Sequence, residues 1–70
     1  MKWINVKWML PKMSEEILCW VVRDSGFKYY SILTRYRNNE GIDIYSDNEF
    51  ELDNDEKVTH WMKLPEQPKE

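Results

Sequence analysis

Hydrophobic positions along this chain come in short runs of strand length, divided by polar segments rich in Gly, Asn, Asp and Pro. Trp3-Ile4-Asn5-Val6 alternates with β-favouring residues and Met9-Leu10-Pro11 ends the run, which predicts a short strand or extended arm packed by Trp3 and Trp8. Ser14-Glu15-Glu16 can cap a single helical turn between Pro11 and Ile17. Ile17-Leu18-Cys19-Trp20-Val21-Val22 is continuously apolar, the pattern of a strand covered on both faces. Asp24-Ser25-Gly26 is a hairpin signal, and Phe27 to Tyr36 should return antiparallel. A two-residue Ser25-Gly26 loop sets Val22 opposite Tyr29 and Trp20 opposite Ser31; a three-residue loop shifts every partner by one. Either register leaves both faces apolar. Arg37-Asn38-Asn39-Glu40-Gly41 predicts a second turn into Ile42-Asp43-Ile44-Tyr45, with Ile42 and Ile44 inward. An acidic loop follows from Ser46 to Lys57, anchored by Phe50 and Leu52.

The closing run sets Val58, His60, Met62 and Leu64 on one side of an extended chain and Thr59, Trp61 and Lys63 on the other. Pro65 and Pro68 lack a backbone donor, so the ladder should stop near Leu64 and leave an extended, exposed tail. His60, between Thr59 and Trp61, is expected as a half-buried, hydrogen-bonded imidazole. The fold expected is mainly β, or α+β if the helical turn forms: one domain over residues 1–70, a small antiparallel sheet of three to five strands with extended N- and C-terminal arms.

Seventy residues bury only about 60% of the surface exposed by the unfolded chain, so ten aromatic residues must supply much of the core. One Cys and one His provide neither an internal disulfide nor a structural zinc site. A net charge of -3 argues against general attraction to long nucleic acid or to anionic membrane. No apolar run approaches a membrane span and the first residues lack a signal-peptide core, so a soluble cytoplasmic protein is expected.

Candidate chemistry is sparse. Asp53-Asn54-Asp55 lacks the Gly and terminal Glu of a calcium loop, so no metal site is assigned. Cys19 lies in the apolar run, where burial makes a thiol inert, and His60 is the only imidazole available as a base. No catalytic residue and no cofactor is assigned, and the chain is read as a non-enzyme. Lys28-Tyr29-Tyr30 and Arg35-Tyr36-Arg37 interleave aromatics with cations, as stacking on bases beside phosphate requires. Weighed against that is the ordinary account: core tyrosines with strand-edge cations. A sheet with two apolar faces and no long helix cannot cover both from one short chain, so the second face needs the terminal arms, another copy, or a partner. The candidate binding residues are Trp20, Tyr29, Arg35, Tyr36, Arg37 and Trp61, and a homo-oligomer is expected.

Both chain ends carry a resemblance. Trp3-Ile4-Asn5-Val6 with Leu10-Pro11, and Val58-Thr59-His60-Trp61-Met62-Lys63-Leu64-Pro65-Glu66, resemble the domain-of-unknown-function family numbered 551, found mainly in phages and prophages. Its members open on Trp-Ile-Ser-Val and close on Val-Thr-His-Trp-Met-Pro-Leu-Pro-Glu-Pro-Pro; Asn5, Lys63 and Gln67 depart from that pattern. The resemblance implies a viral or prophage origin and a β-rich fold, with no established activity. Together these features predict a phage accessory protein that binds a host factor and inhibits a host defence. The alternatives are a protein sequestering a signalling nucleotide at an oligomer interface through Tyr29, Arg35, Tyr36 and Arg37, and a structural virion or assembly component.

Overall fold

The computed structural model describes residues 2–66 and 68, and within them the chain forms one five-stranded antiparallel sheet. The strands are β1 (Ile4–Asn5), β2 (Glu16–Arg23), β3 (Lys28–Arg37), β4 (Asp43–Ser46) and β5 (Glu56–Lys63), in the order β1-β5-β2-β3-β4. The small, mainly β antiparallel sheet expected from the alternation is what forms. The helical turn before Ile17 does not. Ser14 takes a positive φ of 68° and donates its N–H to the Arg35 carbonyl, while Met13 bridges Arg35 in parallel, so this stretch turns into β2 without a helical turn.

The first hairpin adopts the three-residue loop. Arg23 N–H donates to the Phe27 carbonyl and Gly26 sits at φ +94°, a conformation that a Cβ would strain. The two-residue pairing is therefore replaced by Val22↔Lys28, Val21↔Tyr29, Trp20↔Tyr30 and Cys19↔Ser31. Ile17, Cys19, Val21 and Leu33 consequently share one face and form the buried core with Val58 and Trp61. Leu18, Trp20, Val22, Tyr30 and Ile32 share the other.

β5 reaches that core through a bulge. Trp20 pairs with His60 but Val21 pairs with Val58, so Thr59 is the extra residue. The simple alternation predicted Val58 and Trp61 on opposite faces; the bulge resets the phase and turns both inward, at 8% and 5% exposure. The β5 ladder ends at Lys63, one residue before Leu64, as the following prolines require. Pro65, Glu66 and Pro68 are exposed, and the rest of the predicted tail, Gln67, Lys69 and Glu70, lies outside the described residues.

The core face is roofed at one end by residues 9–14. Pro11 is fully buried, its carbonyl accepts from Arg35 Nη1 at 2.7 Å, and Trp61 Nε1 donates to the Met9 carbonyl at 2.8 Å. Leu52, from the acidic loop, packs against the same core. The arm expected to be packed by both Trp3 and Trp8 uses only the first. Trp3 crosses to the opposite face and stacks on Tyr30 at 6.0 Å between ring centroids, while Trp8 projects into solvent.

β4 also differs in phase from the expectation. Arg37↔Asp43 and Arg35↔Tyr45 place Asp43 and Tyr45 on the core side, leaving Ile44 on the other face and Ile42 exposed. A three-residue loop, Asn39-Glu40-Gly41, fixes this register, with Asn38 Oδ1 accepting from the N–H groups of Glu40 and Ile42. The ion pair it creates is the reason an arginine can be buried there at all.

Candidate functional site

Two surfaces stand out among the described residues beyond the core. The first is the face opposite the core. Trp20 meets Tyr30 edge-on at 4.9 Å and Trp3 at 6.4 Å, and with His60 these rings line an open niche of ≈370 Å³. His60 is half-buried and its Nδ1 lies 2.9 Å from Thr59 Oγ1, the hydrogen-bonded imidazole expected. Tyr30 is 65% exposed, Ile32 48% and Trp3 39%, so this arm covers only part of the face.

The second surface lies on the core side. The chain from Ser46 to Glu51 folds back as a tight turn: Asp47 Oδ1 accepts from the N–H groups of Glu49 (2.7 Å) and Phe50 (2.6 Å), while Asp47 N–H donates to the Phe50 carbonyl. These donated hydrogen bonds hold the Asp47 carboxyl below its ordinary range. Phe50 is thereby presented outward, 70% exposed. Between this turn and the sheet runs a groove of ≈390 Å³, with Tyr29, Ser31 and Leu33 as its floor and Asp47, Asp53 and Glu56 along its rim; Glu51 lines it as well, but its carboxylate accepts from Tyr36 on the other face of the sheet. Glu56 accepts a hydrogen bond from the Tyr29 hydroxyl and another from Asp53 N–H, which together lower its pKa; burial and the adjoining Glu56 carboxylate push the Tyr29 hydroxyl up to about 12. Residues 38–56 include no Lys or Arg, so the segment that builds the rim is acidic along its whole length.

Asp53, Asp55 and Glu56 bring carboxylate oxygens within 4.8 Å of one another, close enough to suggest a cation. Arg23 already faces all three: Nη2 at 3.4 Å from Asp53, Nε at 3.9 Å from Asp55 and at 3.4 Å from Glu56. The guanidinium supplies the counter-charge that an ion would bring.

The six residues singled out by sequence do not form one site. Trp61 is core. Arg35 is 6% exposed, bound to Pro11 and, through Nη2, to Asp43 at 2.9 Å. Arg37 Nε lies 3.0 Å from the same Asp43 carboxylate. Tyr29 floors the acidic groove, whereas Tyr36 faces the other side of the sheet and donates to Glu51 at 3.0 Å. The set proposed for a nucleotide is thus divided between two faces, and both its arginines are matched to a carboxylate. Trp20 and Tyr36 share the open face, and of the six only Trp20 lines the aromatic niche. Its neighbours Trp3, Tyr30 and His60 were not singled out, although Tyr30 follows directly from the cross-strand register once the loop length is known.

No helix among the described residues is long and apolar enough to cross a membrane. No curated protein and no solved structure matches the chain. The family model described as a protein of unknown function, DUF551, matches residues 2–69, and the chain belongs to that family.

Proposed function

We propose that this protein is a non-enzymatic binding protein, a phage accessory factor that docks a basic surface of a host protein and so blocks it, with a host defence factor as the target class. The observation that carries this reading is the acidic groove with its exposed phenylalanine. Three carboxylates, Asp47 together with Asp53 and Glu56, which share the single Arg23, stand around a floor of Tyr29, Ser31 and Leu33, and Phe50 stands on the lip. Such a groove suits an arginine or lysine side chain, whose apolar stem lies along Leu33 and Tyr29 while its head meets the rim. Phe50 adds the aromatic anchor that dominates many interfaces, and the Asp47 turn holds it in place before binding, which limits the ordering cost. Binding is favoured over catalysis because Cys19 is buried and its thiol is pushed up to about 12, while the one imidazole is engaged by Thr59.

The test is capture from cells of the natural host with the tagged protein, Phe50→Ala and Asp53→Lys in parallel, each at low and high salt. A host protein retained by the parent, released as salt rises, and lost with both variants is expected, because acidic rim contacts are screened over ~10 Å at 0.1 M salt. Equal recovery by parent and variants would overturn the proposal.

A further inference from the structure

The open aromatic face, on the other side of the sheet from the acidic groove, carries a charge pattern that is complementary to itself. Along β2 its outward positions run Glu16, Leu18, Trp20, Val22. Val22 pairs with Lys28 on one side and Lys57 on the other, so both lysines lie at the end of the face remote from Glu16. All three charged residues are exposed, and none enters an ion pair within the chain among the described residues. Between the ends the face is largely apolar, with Leu18, Trp20, Tyr30, Ile32 and Met62 and the half-buried His60 beside Trp20. Glu16 and the lysine level are six residues apart along β2, ~20 Å at strand rise.

We propose that this face is the pairing surface of a twofold homodimer, in which the Glu16 end of each copy lies over the Lys28 and Lys57 end of the other. Two sheets that meet face to face by twofold symmetry have their axis in the plane between them. An axis along the strands would set Glu16 on Glu16 and lysines on lysines. An axis across the strands sets Glu16 on two lysines at each end, so the charges select the second, with strands of the two copies antiparallel. Leu18 and Trp20, on either side of the row's midpoint, then lie nearest the axis, and the niche beside Trp20 is filled by the partner's apolar side chains. Aligned packing of twisted sheets ~10 Å apart accommodates this arrangement.

Area supports a second copy as the occupant. Three strands of eight to ten residues, ~26–33 Å long, with the four residues of β4, set ~4.8 Å apart, offer on the order of 450–500 Å² per copy. Two copies then bury ~900–1,000 Å², the size of weak, reversible interfaces, so association is expected to depend on concentration. The acidic grooves lie on the outward sides of such a pair, so it brings neither the two acidic rims nor their Phe50 anchors together. The inference is therefore independent of the partner proposed for the groove.

Light scattering after size exclusion, over a dilution series into the hundreds of micromolar, should show twice the 8.6 kDa protomer mass, falling to one protomer on dilution. Tyr30→Glu and Ile32→Glu, both at exposed positions, should each weaken association at least ~30-fold with circular dichroism unchanged. Glu16→Lys should weaken it several-fold, and Lys28→Glu with Lys57→Glu likewise, while the triple charge reversal restores the dimer. These three side chains are exposed, so the charge series remains decisive even if Ile32→Glu unfolds the chain. A monomeric mass at every concentration would overturn the proposal and leave the face to an unrelated partner. A dimer indifferent to Tyr30→Glu and Ile32→Glu, or a triple reversal without rescue, would overturn it as well.

Discussion

Arg35 is the test of how this small sheet is held to its roof. Its Nη1 donates to the buried Pro11 carbonyl at 2.7 Å and its Nη2 to Asp43 at 2.9 Å, joining β3 to residues 9–14 and to β4 at once. In Arg35→Met, the methionine keeps the apolar stem and removes both donors. The Pro11 carbonyl, with no water to replace its partner, then costs ~1–3 kcal/mol, and the lost charged hydrogen bond to Asp43 adds part of another ~1.5 kcal/mol, since Arg37 remains to pair with that carboxylate. Removing a buried guanidinium whose Nε–H has no partner returns some of this. The net expectation is a loss of ~2–3 kcal/mol from a domain whose whole stability is ~4–10 kcal/mol. At ~4–8 °C per kcal/mol for a chain of this size, the melting temperature should fall ~10–20 °C, followed by tryptophan fluorescence or circular dichroism. Arg37→Met is the control: its side chain is 53% exposed, and loss of its surface ion pair should cost under ~1 kcal/mol. If Arg35→Met costs no more than Arg37→Met, the buried arginine is not what pins residues 9–14 to the sheet.

Trp61→Phe keeps a buried ring but removes the donor to the Met9 carbonyl, so a urea midpoint should report a loss of ~1–3 kcal/mol, whereas Trp8→Ala, at an 88% exposed site, should stay within ~0.5 kcal/mol. Deleting Thr59 should preserve the fold, because without the extra residue Val58 and Trp61 remain in phase on the core face; the loss should be about the ~0.5–1.5 kcal/mol of the Val6 N–H to Thr59 carbonyl bond, and a chain unfolded by circular dichroism would refute the bulge as drawn. Burial pushes the Asp43 carboxyl up, but hydrogen bonds from Arg37 and Arg35 outweigh it, so Asp43 is lowered in the folded state, as is Glu56. Stability from both is therefore complete above the ordinary carboxyl pKa of ~4 and lost as pH falls through the folded values, and Asp43→Asn should flatten the acid limb of a urea-midpoint profile. Cys19, with burial pushing its thiol up to about 12, should resist a thiol reagent at neutral pH until denaturant is added; stoichiometric labelling of the folded protein would contradict its burial.

Much of the fold was legible because strand-length apolar runs and turn residues are local signals. Alternation located the strands, Gly26 and Gly41 marked the turns, and Pro65 placed the end of β5. Phase was not legible, because it depends on single residues counted in or out. A three-residue rather than two-residue loop at Asp24-Ser25-Gly26 moved Tyr29 and Leu33 onto the core face, and one bulged residue at Thr59 brought Val58 and Trp61 together. The absence of a helix before Ile17 has a similar origin: a cap at Ser14 is locally adequate, but the Arg35 carbonyl takes its N–H and Ser14 sits at a positive φ that no right-handed helical turn admits.

The candidate site shows the same physics more sharply. Basic and aromatic residues interleaved in sequence look like a cluster, yet in a strand successive side chains point to opposite faces. Tyr29 and Tyr30 are therefore divided by the sheet, as are Arg35 and Tyr36, and an interleaved stretch within a strand disperses the groups it brings together on paper. Sites on a sheet are composed instead from every second residue and from cross-strand partners. Trp20 meets Tyr30 only through the hairpin register, and Trp3 joins them from 17 positions away in sequence. Glu16, Lys28 and Lys57 fall into their end-to-end arrangement only once all three strands are in register. The acidic groove was partly visible in advance because it is built by a loop, where consecutive residues stay together; what the loop could not show was that Tyr29 and Leu33 would lie beneath it. The two surfaces thus differ in how they are encoded: the groove by composition along one segment, the face by pairing among three.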